Sequence, residues 1–208
     1  MCWELDLGVP LIDFWISIGS RYSYLSVMRL NSVQEASGVS FRWRPFSVRA
    51  IMIEQKNVPF AGKPVKMAYM WRDIERRART YGFEPQLPAP YPLAEFDLAN
   101  RIAIVAASEG WCSDYARAAY RGWFHAGNEP GSEPGLSNAL GEIGQDRARV
   151  LALAKSDETD ESYRKATEEA KALGVFGSPT FVVGSEVFWG DDRLDDAIRW
   201  EQVTGSLT

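Results

Sequence analysis

The chain has 208 residues, 46% of them apolar, enough for one well-buried core or a core with a large insertion, and this excludes disorder as its ground state. A net charge of -5 leaves no concentrated basic surface, so a nucleic-acid role is excluded. The one dense basic run, Arg72 to Arg79, alternates with Ile74, Ala78 and Tyr81, the pattern of the solvated face of an amphipathic helix.

The segment Met1 to Pro10 carries Glu4 and Asp6 and no long apolar stretch, so it is read as neither signal peptide nor membrane anchor, and a cytoplasmic protein is expected. A strand is expected near 11 to 17, from the apolar run Leu11-Ile12-Asp13-Phe14-Trp15-Ile16. Tyr24, Leu25, Val27, Met28 and Leu30 then recur at helical spacing, and Gly38 closes a helix near 22 to 37. Val39 to Phe46 reads as a second strand, completing a βαβ start.

From about residue 60 to 172 the pattern is helical, broken by Pro and Gly. Helices are expected at about 64 to 81, 95 to 109, 113 to 126, 137 to 154 and 159 to 173. The segment Glu84 to Pro92 holds four prolines and cannot be helical throughout. Thr180-Phe181-Val182-Val183 and Glu186-Val187-Phe188-Trp189, joined by Gly184-Ser185, form a hairpin, and a last helix begins near Asp191. The order predicts an α/β thioredoxin-like core, residues 11–60 and 172–203, with a large all-helical insertion, 61–171.

Three features carry chemistry. Ser20-Arg21-Tyr22-Ser23 stands between a buried strand and a helix, where a thiol-disulfide enzyme would carry Cys-x-x-Cys. The helix dipole and first-turn N–H groups suit an anionic sulfur that the chain does not itself place there. Pro179, just before a strand, reads either as an ordinary strand-entry proline or as a cis proline that exposes the Ser178 backbone to a peptide-like ligand. In Trp189-Gly190-Asp191-Asp192-Arg193, either aspartate alone reads as a helix N-cap. The same turn also suits an amino acid, whose ammonium Asp192 would bind.

Other reactive residues have plainer readings. Cys2 and Cys112 are far apart, without disulfide-framework or metal-ligand spacing, and are taken as incidental or buried; no metal site is expected. His125, the sole histidine, is read as an ordinary helix-end residue.

The ordered set Asp13-Phe14-Trp15, Ser20 to Leu25, Arg44-Pro45-Phe46, Asn57-Val58-Pro59, Lys66 to Tyr69, Gly174 to Thr180 and Trp189 to Arg193 resembles the 2-hydroxychromene-2-carboxylate isomerases. These are relatives of kappa-class glutathione transferases within the DsbA-like group. The resemblance runs from about residue 11 to 203. It implies that Ser20, as the catalytic residue, holds the sulfur of glutathione. Asn57, Ser178, Asp192 and Arg193 would contact the tripeptide, with Arg21, Tyr22 and Pro179 in the same site. It also implies a homodimer.

Two positions depart from the family pattern: Arg21 replaces a common Pro, and Ser178 replaces a common Val or Leu. Arg21 either adds positive charge near the thiolate or points to solvent. Arg49 and Lys63 are candidates to bind the carboxylate of an aromatic substrate, against the plainer reading of each as a surface charge.

A magnitude limits what the helix end supplies. Lowering a thiol pKa from about 8.5 to roughly 6.5 raises thiolate at neutral pH about 25-fold, while nucleophilicity falls about 8-fold. Alignment of sulfur and electrophilic carbon therefore has to contribute most. The leading expectation is a glutathione-dependent isomerase of an unsaturated aromatic carboxylate. A kappa-like glutathione transferase and a thioredoxin-fold glutathione-binding protein without turnover are the alternatives. Thiol oxidoreduction ranks last, because Ser20 and Ser23 form no disulfide.

Overall fold

The computed structural model describes residues 11–57, 60 and 62–205, so Met1 to Pro10 with Cys2, and Val58-Pro59, lie outside the described residues. Strand β1 (Leu11–Ile16) is followed by α1 (Ser23–Ser37) and β2 (Ser40–Pro45). β1 and β2 pair in parallel from Leu11↔Ser40 to Ile16↔Pro45. Helices α2 (Val48–Glu54), α3 (Pro64–Thr80), α4 (Phe96–Glu109), α5 (Cys112–Ala126), α6 (Gly135–Glu142), α7 (Arg147–Ala154) and α8 (Asp157–Ala172) come next. The hairpin β3 (Thr180–Val183) and β4 (Glu186–Trp189), a 3-10 turn (Asp191–Arg193) and α9 (Leu194–Gly205) close the chain. The sheet order is β2-β1-β3-β4, with β3 antiparallel to both its neighbours. This is the thioredoxin-like arrangement, with helices α3 to α8 inserted between β2 and β3.

The sheet is built on β1, whose Ile12, Phe14, Trp15 and Ile16 are all fully buried, as a central strand covered on both faces requires. Phe14 stacks on Phe181 of β3 at 5.1 Å and meets Trp43 of β2 edge-on at 4.9 Å. Helix α9 packs on β1 and β3, while α4 and α8 pack on β2. The register decides where the site lies. Trp15 opposes Thr180, so the residues just after β1 come beside those just before β3.

Three elements differ from the expected ones. The single helix expected at 137 to 154 is two, because Gly144 takes a left-handed φ of 69° and the Asp146 side chain caps a new helix by accepting from Arg149 N–H at 2.6 Å. Helix α2 has no counterpart in the sequence reading. It is only seven residues long, and it is started by Ser47, whose hydroxyl accepts from Ala50 N–H at 3.2 Å. In α3, Arg72 and Arg79 pair with Glu75, and Arg76 pairs with Asp73, on the exposed face. Arg77 departs from that solvated pattern and reaches inward to Asp191 at 2.5 Å.

Asp191 carries a fully buried side chain. Its carboxylate accepts from Ser26 Oγ at 2.9 Å and from Arg29 Nη2 at 3.3 Å as well as from Arg77. It serves as an internal anchor for α1 and α3, and the 3-10 turn it opens has no side-chain cap. Among the described residues no helix is long and apolar enough to cross a membrane.

Candidate functional site

Ser20 lies at the end of a turn that three buried groups hold rigid. Asn100 of α4 is fully buried. Its Oδ1 accepts from Ile18 N–H at 2.7 Å, and its Nδ2 donates to the carbonyls of Ile18 and Phe96 at 2.9 and 2.8 Å. The Tyr120 hydroxyl donates to the Ser20 carbonyl at 2.8 Å, and Ser20 N–H returns to the Ser17 carbonyl at 3.0 Å. Gly19 has φ of 109°, and a Cβ there would stand 2.8 Å from the Phe96 ring, so only glycine fits this bend.

The Ser178–Pro179 bond is cis, the second of the two readings of Pro179. Ser178 stands outside the β3 ladder, and its carbonyl accepts the Ser20 hydroxyl at 2.5 Å. Its side chain ties the loop down: Ser178 Oγ accepts from Ser17 N–H at 2.9 Å and lies 2.9 Å from Ser23 Oγ. A Val or Leu at this position would leave the fully buried Ser23 hydroxyl without that partner. Ser23 is therefore part of the frame.

Ser20 and Ser178 open into a cavity of about 370 Å³. Arg21, Tyr22, Arg49 and Lys66 also line it, and the apolar wall includes Phe60, Tyr91 and Phe96. No Asp or Glu among the described residues lines it, although the chain as a whole is acidic. The positive helix end and three cations thus converge without a counter-ion in the wall, an arrangement that favours anions.

The remaining candidate residues separate into three groups. Tyr22 lines the cavity and donates to Asp73 Oδ2 at 3.0 Å; burial and then Asp73 push its hydroxyl well above the usual tyrosine range, so it stays protonated. Arg49 also lines the cavity, with its guanidinium 3.9 Å from the Phe96 ring and one N–H directed at the Leu93 carbonyl at 3.3 Å. Lys63 is exposed at the start of α3 and is not part of the wall, whereas Lys66, one turn on, is.

Asn57 is exposed just after α2, outside the lining, with its N–H on the Met52 carbonyl at 2.9 Å. Asp192 and Arg193 pair with each other at 2.9 Å, also outside the lining, on the turn after β4. That turn is linked to the proline loop, because Gly190 N–H donates to the Pro179 carbonyl at 2.9 Å. Partial burial opposes the Asp192 charge, but Arg193 outweighs it and holds the carboxyl below its usual range.

Arg21 is buried, 6% exposed, with its guanidinium 3.7 Å from the Tyr91 ring and 4.4 Å from Phe60. Of its two readings, solvent is excluded. Burial lowers its pKa, partly offset by Tyr91. Lys66, Tyr91, Asn100 and Tyr120 were not singled out as site residues in the sequence. Helical spacing from Lys63 would have found Lys66, but Tyr91, in the proline-rich segment, offers no local signal.

Cys112 is buried at the start of α5, outside the cavity lining, and burial pushes its thiol well above the usual range, away from reactivity. His125, in the last turn of α5, faces the Tyr24 hydroxyl through Nε2 at 2.9 Å, and burial and then Arg121 hold it below its ordinary value.

The family of DSBA-like thioredoxin domains matches residues 11–198. The chain belongs to this family. Among DSBA-like proteins, it is 28% identical to a 2-hydroxychromene-2-carboxylate isomerase of Sphingobium xenophagum over 88% of this chain and 94% of the relative. The solved structure of a 2-hydroxychromene-2-carboxylate isomerase superposes with a TM-score of 0.79 at 26% identity, covering 95% of each chain. A shorter match, 32% identical over 39% of this chain and 36% of the relative, is to glutathione S-transferase kappa 1 of Caenorhabditis elegans. The resemblance to the isomerases thus extends over most of the DSBA-like chain, and these relatives support an isomerase- or transferase-like function.

Proposed function

We propose that this protein is a glutathione-dependent isomerase of 2-hydroxychromene-2-carboxylate or a similar unsaturated aromatic carboxylate, working in the cytoplasm as a homodimer. The observation that carries the reading is Ser20: a hydroxyl at a positive helix end, beside the Ser178 carbonyl, opening into a cavity walled by cations and aromatic rings with no carboxylate among the described residues. The named relatives support the reaction class.

At the cavity, the residues present suit a peptide-like thiol. Ser178 offers a main-chain carbonyl outside the sheet, as a strand edge does to a peptide. Asp192 and Arg193, which pair with each other outside the cavity lining, and Asn57, also outside it, would meet only the part of the ligand that extends beyond the cavity. Glutathione, when bound beside Ser20, would supply a sulfur nucleophile that is not consumed.

Ser20 has one hydroxyl proton and therefore one donation to make. In the structure that donation goes to the Ser178 carbonyl. A ligand N–H that took over the carbonyl would free the Ser20 hydroxyl to donate to an anion in the cavity. The turn that carries Ser20 does not move, because Asn100 and Tyr120 fix its backbone. Ser20 so acts as a positioned donor, and the cations of the wall keep an anionic sulfur and an acidic substrate together.

The test is to mix the purified protein with 2-hydroxychromene-2-carboxylate, with and without glutathione, and follow the ultraviolet spectrum. A change that needs both protein and glutathione is expected; its absence overturns the reading. The kappa-class match favours a second reading, transfer with a stable conjugate. Product mass separates the two, since isomerisation leaves the mass of the substrate unchanged and conjugation adds glutathione.

A further inference from the structure

Buried arginines are ordinarily paired, because removing a charge from water costs more than most other interactions return. Arg21 is buried, yet no carboxylate lies within ion-pair distance of it among the described residues, and its Nη1 is fully enclosed without a hydrogen-bond partner. What surrounds it is aromatic: Tyr91 at 3.7 Å, Phe60 at 4.4 Å and Trp71 at 5.9 Å from guanidinium carbon to ring centre. Rings compensate the faces of a guanidinium through their negative π-clouds, but they leave its in-plane N–H edge to be satisfied by something else.

That edge belongs to a residue that lines the cavity, next in sequence to Ser20. The other cations of the wall differ. Arg49 already directs an N–H at the Leu93 carbonyl at 3.3 Å, and Lys66 is exposed. Among the described residues of this cavity, Arg21 alone combines burial, an aromatic cage and an unpartnered donor.

We propose that Arg21 is the residue that selects the electrophile: an aromatic acid entering between Phe60 and Tyr91 moves these rings off the enclosed Nη1, which then pairs with the carboxylate of that acid. The proposal rests on the aromatic-carboxylate reading above. It places the acid group adjacent to Ser20, so the anchored carboxylate brings the neighbouring unsaturated carbon to the thiolate position. Glutathione also carries carboxylates, so the source of the anion has to be distinguished.

The experiment is calorimetric binding of three probes, trans-2-hydroxycinnamate, its carboxamide and S-methylglutathione, to the full chain and to R21M and R21K, each checked for folding by its thermal transition. For the native chain the acid is expected to bind about 10- to 100-fold tighter than the amide, the range of one charge-assisted contact. R21M should abolish that preference and leave amide and S-methylglutathione affinities in place. R21K should retain only part of it, since lysine lacks the planar fork. An undiminished acid preference in R21M overturns the proposal, as does a loss that falls on S-methylglutathione instead. Should R21M fail to fold, R21K decides: a reduced preference supports the assignment and an unchanged one overturns it. Because the readout is binding, a lack of glutathione-dependent turnover would remove the proposed reaction without altering this result.

Discussion

At the scale of single residues, one hydroxyl proton organises the site. Ser20 is half-buried, its backbone is held by Tyr120 and Asn100, and its side chain makes one bond, to Ser178. S20A therefore removes a donor without creating a buried orphan of consequence. On the proposed mechanism, kcat/KM falls about 10- to 150-fold, the value of one hydrogen bond to a charged group, while the melting temperature stays close to that of the native chain. Steady-state kinetics beside a thermal melt checks this; unchanged kcat/KM would remove Ser20 from the chemistry. Ser20 was legible because its meaning comes from a local context, a strand followed by a helix. Lys63 and Arg21 were not resolved the same way. Whether a cation faces a wall, water or an aromatic cage depends on which rings arrive from elsewhere, and here they come from positions 60, 71 and 91.

At the scale of elements, Asp191 joins parts of the fold that no local pattern connects. It opens the 3-10 turn before α9 and meets Ser26 and Arg29 from α1 and Arg77 from α3. Read locally, an aspartate at that place is an N-cap. In the folded chain its carboxylate is surrounded by two guanidinium groups, and truncation would leave both without their shared partner. D191A should cost about 3 kcal/mol, the low end for breaking a buried pair, and lower the melting temperature by roughly 6–12 °C. A thermal melt of the variant checks this, and D191N, which keeps shape and hydrogen bonds to Ser26 without the charge, should recover part of the loss. The helices themselves show where element-scale reading holds. Those with clear capping and termination signals, such as α1 before Gly38, fall where expected, whereas α2 is too short for its periodicity to register.

At the scale of the whole molecule, the sheet and the inserted helices share one hydrophobic core. Ile12, Phe14 and Phe181 of the sheet belong to the same buried cluster as Ile102, Tyr120 and Trp123 of the insertion. The polar clamp of Asn100 and Tyr120 on residues 17–20 makes the same connection across the site. An insertion that shares its core in this way has no independent reason to remain folded. Denaturation is thus expected to give one transition, with far-ultraviolet circular dichroism and tryptophan fluorescence coinciding. Two separated transitions would show that residues 61–171 fold as a unit of their own.

The sequence by itself determined the four strands, the longer helices and their order, and the chemical character of the turn at Ser20, but not α2 or the break between α6 and α7. Each of these depends on contacts within a few residues: alternation or helical spacing of apolar groups, a closing glycine, a serine where a cysteine is customary. Only the tertiary structure decided that Ser178 accepts the Ser20 hydroxyl, that among the described residues the cavity wall carries cations and no acid, and that Arg21 lies in an aromatic cage with its Nη1 unpaired. Those facts are set by which distant segments converge, and convergence follows from packing one shared core, which periodicity along the chain does not encode.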